Sequence, residues 1–271
     1  MLGCLIGTYS TLCGIGGGVF AVPLLHYVYG MPLKNAVATS LVLVAASTST
    51  ATAVEVLRAD SEIRYPVLAV LLVASLLGTQ IGYRVQRRID ARRLKIVFCV
   101  AMALVGARLL FLPTRHADPQ ALAPALDLSL ARCGVIAVVG LLAGALAPLL
   151  GVGGGLVAVP GLLLGLPSLG FAAARACSTA MSVVNSWQSV WFYKRDRMIH
   201  VPTAVWFAGG ALAGGVVGDA LIHVPWVVAI AQRLLAATVL FVALRFAWDV
   251  ARARRERRAS ARDDVHAPRV E

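Results

Sequence analysis

Eight stretches of this chain stay apolar for about the length of a membrane helix, and no other property restricts its fold so strongly. They run approximately over residues 1–29, 36–57, 65–83, 94–112, 131–167, 171–193, 201–222 and 226–248. A helix needs roughly 20 apolar residues to cross the hydrocarbon layer. Lipid gives the backbone no hydrogen-bond partners, so these segments must satisfy themselves as helices. Only 14% of the residues are charged, against about 25% in a soluble domain, and a soluble enzyme is excluded. The fold class is therefore an all-α membrane protein with about eight to ten hydrophobic segments, the longest having room for a span plus a short half-helix.

The net charge of +12 is concentrated in three places. Arg84, Arg87, Arg88, Arg92, Arg93 and Lys95 surround a single acid, Asp90. Lys194, Arg195 and Arg197 surround Asp196, and an Arg-rich tail follows Asp249. Short loops rich in Lys and Arg stay on the cytoplasmic side, which puts all three patches in the cytoplasm. No basic stretch carries a nucleic-acid recognition fold, so the expected partners are the lipid bilayer and a small anionic substrate, with no nucleic acid. Homo-oligomerisation is left open. The five cysteines lie in or beside apolar stretches with no paired spacing, which suits small hydrophobes and not a disulfide or zinc framework. The N-terminus lacks the basic region and cleavage site of a signal peptide.

The chain is written twice. Gly14-Ile15-Gly16-Gly17-Gly18, with Pro23 after it, recurs 137 positions later as Gly151-Val152-Gly153-Gly154-Gly155 with Pro160. Thr39-Ser40 has a counterpart in Ser178-Thr179, and Gly78…Gly82 in Gly214…Gly218. Arg108 and Arg245 keep the same offset. Such glycine runs predict a helix break in each half. The Arg-rich 84–95 loop corresponds to 219–225, which has only Asp219 and His223, whereas the balanced 58–64 loop corresponds to the basic 194–200 loop. This exchange of sides predicts two homologous repeats of inverted topology. Residues 1–112 form the first repeat, 113–130 an extracytoplasmic connector, 131–250 the second repeat and 251–271 a basic cytoplasmic tail. Only thirteen residues precede Gly14, against about twenty apolar ones before Gly151.

At these residues the sequence resembles the TauE/SafE family, or sulfonate uptake permease family, of bacterial multi-pass transporters. The likeness rests on the doubled glycine motif with its proline, the Thr39-Ser40 pair and the Gly-x-x-x-Gly of each half, and it spans roughly residues 3–248. Cys177-Ser178-Thr179, where the family pattern has Thr-Ser, is one departure, and the short N-terminal stretch another. The resemblance implies residence in the bacterial inner membrane and movement of sulfite or organosulfonates, often outward.

A broken membrane helix exposes backbone N–H groups at the positive end of the half-helix that follows, which makes an anion site without a buried cation. Candidate substrate-binding residues are Gly16, Gly17 and Gly18, Gly153, Gly154 and Gly155, with hydroxyls at Thr39, Ser40, Ser178 and Thr179. Arg175 would add fixed charge, and Asn185 would line the path, joined by Gln188 and Ser47–Thr50. The competing reading is that these small residues serve only tight helix packing. Neither glycine run continues as a nucleotide-binding loop, so no ATP-driven pump, and no cofactor, is implied. His26, His116, His200, His223 and His266 are scattered, so neither a catalytic nor a metal cluster is indicated. Glu55, Asp219 and Asp249 all lie near span ends, which weakens the case for a proton relay. The expected activity is secondary anion export by alternating access, driven by membrane potential. The alternatives are an assembly subunit of a membrane complex, or a transporter of another small anion or a metal.

Overall fold

A computed structural model describes residues 2–13, 16–58, 61–90 and 129–221, together with positions 93, 96, 100, 244, 248 and 252. Gly14, Arg108 and Arg245 lie outside the described residues, as do nearly all positions of the 94–128 region, of the last apolar segment and of the tail. Within them every regular element is a helix.

Helix α1 (Leu2–Cys13) is followed by a break at Gly16-Gly17 and by α2 (Gly18–Pro23). Pro23 cannot donate the next helical hydrogen bond, and the chain passes into a π-helical turn over Leu24–Val28. Helices α3 (Leu33–Leu57) and α4 (Tyr65–Arg88) follow. Pro66 sits in the first turn of α4, where its missing N–H costs nothing. Helix α5 (Leu130–Leu150) ends at Gly151, and α6 (Gly155–Gly165) starts after Gly153-Gly154. The breaks thus fall at the glycine runs. Pro160, however, lies inside α6 and does not end it. Helices α7 (Phe171–Arg195) and α8 (Val201–Leu221) complete the described bundle.

Among the described residues four helices are long and apolar enough to cross a membrane: α3, α4, α5 and α8 through Gly218. Helix α7, with 25 residues, is about 37 Å long at 1.5 Å per residue, and therefore long enough to span. A run of Ser, Asn, Gln and Arg lowers its hydropathy. Most of those side chains are hidden rather than wet, since Arg175, Ser178, Ser182, Asn185 and Ser186 are all buried and Gln188 is half-buried. The most polar long helix therefore lies inside the bundle, packed against α3, α4 and α6. Helix α3 is its central partner: 67% of its apolar window is buried, against 33% for α8. Trp187, Trp191 and Trp206 are exposed on outer faces, where indole rings suit a lipid boundary.

Glycines set how closely the helices approach. A Cβ on Gly78 or Gly82 of α4 would run into backbone of Leu141 or Ala145 on α5, and Gly140 and Gly144 lie on Leu71 and Ser75 in return. On the other side of the bundle, Gly214 and Gly218 of α8 meet Cys4 and Thr8 of α1, with Gly3 and Gly7 against Phe207 and Ala211. Without hydrophobic drive inside lipid, such backbone approach is a main source of helix association. Leu71, Ile136, Leu162 and Met181 close the core among α4, α5, α6 and α7.

Candidate functional site

Both breaks put glycine in the left-handed region, with φ of 82° and 77° at Gly16 and Gly17, and 76° and 95° at Gly153 and Gly154. Side chains with a Cβ rarely adopt these angles. Neither α2 nor α6 carries a side-chain cap at its start. The first N–H groups of α6 are thus without an intrahelical partner and stand at the positive end of its dipole.

The two breaks converge. A Cβ built on Gly16 or on Gly153 meets Val44 Cγ1 at 2.8 Å in each case, and one on Gly18 would overlap the Gly151 carbonyl. Val44 lies about half-way along α3. Helix α7 passes the same point, with Ser186 Oγ 2.9 Å and Ser182 Cβ 3.3 Å from the Cβ built on Gly153. Two uncapped breaks and the middles of two long helices therefore meet in the centre of the bundle.

Along one face of α7 run polar atoms that bond to nothing among the described residues. Ser178, Ser182 and Ser186 recur every four residues, and Asn185 lies beside the last. Their hydroxyls and the Asn185 Nδ2 are buried with no hydrogen-bond partner among the described residues. Buried polar groups are normally satisfied, so a run of open donors at one spot is unusual. Ser75 Oγ lies 2.9 Å from Asn185 Oδ1 and 3.0 Å from Leu72 O, sharing its one proton between them, with the Asn185 NH2 end left open. Three hydroxyls, an amide NH2 and the backbone N–H groups of a helix start can all donate to oxygen. None of them is charged.

The sequence-derived candidates divide on this geometry. Gly16–Gly18, Gly153–Gly155 and Asn185 gather at or beside the convergence, and Ser178 lies two turns along α7 from it. Thr39 and Ser40 are committed to backbone: Thr39 Oγ1 accepts from the His200 N–H at 3.1 Å, and Ser40 Oγ shares its one proton between Val37 O and Gly151 O, at 2.8 and 3.0 Å. Thr179 Oγ1 donates to Arg175 O within its own helix. Arg175 differs most from expectation. It is not a bare cation, because its Nη2 donates to Glu55 Oε2 at 2.8 Å and both side chains are buried. Glu55 lies near the end of α3 in sequence, yet the 61–64 segment folds over it and the Glu62 N–H donates to its Oε1. Position near a span end did not mean exposure. Ser182, Ser186 and Ser75 were missed altogether; the four-residue spacing through Ser178, Ser182 and Ser186 was the available signal.

Hydroxyls also close the helix that leads into the second break. Tyr193 OH donates to Pro148 O at 2.9 Å, satisfying one of the last carbonyls of α5. Replacing Tyr193 with Phe should cost about 1 kcal/mol, read as a small fall in Tm of the detergent-solubilised protein. At the same end of the bundle the two basic loops come together. Tyr83 OH donates to Asp196 Oδ2 at 2.7 Å, and Arg87 Nε lies 3.7 Å from the same oxygen.

Residues 1–109 and 136–269 match the protein family described as "Sulfite exporter TauE/SafE". The chain belongs to this family. A "Probable membrane transporter protein" of Xylella fastidiosa (strain 9a5c) is 30% identical to it over 224 residues, 81% of this chain and 82% of the relative. "Probable membrane transporter protein MamO" of Paramagnetospirillum magneticum (strain ATCC 700264 / AMB-1) is 34% identical over 116 residues, 41% of this chain and 18% of that protein. No solved structure matches. As a TauE/SafE member with span-length helices and transporter relatives, the protein is a multi-pass membrane transporter and not an enzyme.

Proposed function

We propose that this transporter exports a small oxyanion, sulfite or an organosulfonate, by alternating access around the mid-bundle site. The observation that carries the reading is the meeting of the uncapped Gly153–Gly155 break with the unpartnered hydroxyls of Ser182 and Ser186. Oxyanions accept several hydrogen bonds at once, and each bond to a charged group contributes about 1.5–3 kcal/mol. A site built from neutral donors and a helix start holds such an ion without holding it too tightly to release.

Alternating access needs two units that rock about a fixed site, and we assign these to two inverted repeats. Matched glycines support the assignment, since the α4–α5 contacts of Gly78 and Gly82 mirror the α8–α1 contacts of Gly214 and Gly218. Similar contacts also sit at opposite ends: the His200 N–H on Thr39, and the Arg64 N–H on Cys177, one residue before the Ser178-Thr179 counterpart. The end that carries Arg87 and Asp196 is the cytoplasmic one in this account, in an inner membrane, with the basic tail on the same side.

One elementary charge gains about 2.3 kcal/mol per 100 mV when an anion leaves an inside-negative compartment. Efflux of sulfite from proteoliposomes should therefore fall several-fold when an ionophore clamps the potential to zero. Efflux that follows a pH gradient alone and ignores the clamp would overturn the coupling.

A further inference from the structure

Helices α3 and α7 run antiparallel, because Glu55 near the end of α3 meets Arg175 near the start of α7 while Val44 and Ser186 both meet Gly153. From Gly153 toward Arg175, successive turns of α7 present Ser186, Ser182 and Ser178, each buried and unpartnered. On α3 the turn before Glu55 carries Thr52, whose buried Oγ1 has no partner either. A file of open hydroxyls thus leads from the central break for about 16 Å and ends on one cation, Arg175. That cation is held by one carboxylate, with side chains only 5% and 6% exposed.

We infer that the Glu55–Arg175 pair is the gate at the end of the anion path, and that Glu55 is an internal stand-in for the transported oxyanion. The inference rests on the central anion site proposed above. A carboxylate presents two oxygens to the guanidinium, and a sulfite or sulfonate group presents the same kind of oxygen edge. An ion arriving from Ser178 takes the place of Glu55 on Arg175, by exchange of hydrogen bonds with no covalent change. Glu55 then lets go of α7. The 62–64 segment loosens with it, because the Glu62 N–H is bonded to Glu55 Oε1 and the Arg64 N–H lies 3.4 Å from Cys177 Sγ. Cys177, buried under that segment, becomes accessible.

An exchange of the two charges, Glu55→Arg with Arg175→Glu, separates gate from girder. It should restore thermal stability lost in either single variant while sulfoacetate flux stays at least about tenfold down, because the cation has left the end of the hydroxyl file. Flux that recovers together with stability overturns the gate. Wild-type protein supplies a test that needs no variant to fold: alkylation of Cys177 by N-ethylmaleimide, mapped by peptide mass, beside a thermal-shift titration, both with sulfoacetate. The gate predicts a rise in Tm together with Cys177 alkylation several-fold faster, Cys133 unchanged. A rise in Tm with no change at Cys177 overturns the gate and leaves the central site standing; no rise in Tm overturns both.

Discussion

Replacing Ser182 and Ser186 together with Ala should abolish most anion transport and leave the fold as stable as before, or more so. Both hydroxyls are buried and bonded to nothing among the described residues. An unsatisfied buried polar group costs about 1–3 kcal/mol, so its removal spares the folded protein a penalty. Methyl groups fit where the hydroxymethyl groups stood. In the complex, each hydroxyl contributes a bond to a charged oxygen worth about 1.5–3 kcal/mol. Losing two weakens the anion's binding by about a hundredfold or more, at tenfold per 1.4 kcal/mol. Sulfite efflux at matched protein density, together with the Tm of both proteins, checks the point. If the serines served packing instead, the double variant would lose Tm and keep flux in whatever protein remained folded.

Removing one charge of the buried pair has the opposite signature. Arg175→Ala strands the Glu55 carboxylate without its cation in a site with little water, the Glu62 N–H being its remaining donor among the described residues. Breaking a buried pair in this way costs about 3–5 kcal/mol, which should appear as a large fall in Tm and in the yield of monodisperse protein. Replacing both, with Glu55→Gln and Arg175→Gln, removes the stranded charge and should recover most of that loss, since neutral replacement of a whole pair is often tolerated. The quantity to compare is Tm across the single and double variants. Additive losses would mean the two side chains do not form a pair in the membrane.

The helical membrane class was legible from segment length alone, because lipid leaves the backbone so few choices. The breaks were legible too: three consecutive glycines announce a conformation that other residues avoid. The site was only half legible. Glycine marks where a helix can break but not what faces the break, and Val44, an ordinary apolar residue, is what both breaks share. Hydroxyl residues look alike in sequence whether they cap a helix or stay open. Ser40 turns out to bond Gly151 O, whereas Ser182, lacking any motif, is open. The cation at Arg175 was visible as an intramembrane charge, but its neutralisation by Glu55 across 120 residues follows from the antiparallel packing of α3 and α7, which no local pattern encodes.

The central claim is that a small oxyanion sits where the second glycine break meets α7. Selenite carries the charge and shape class of sulfite and an atom with anomalous scattering, so diffraction from crystals soaked in it locates the ion directly. The account predicts one strong anomalous peak, with the selenite oxygens about 3 Å from Ser182 Oγ and Ser186 Oγ and near the Gly155 N–H. Selenium found only along the exposed arginines of the basic loops, with none between Gly153 and α7, would contradict it.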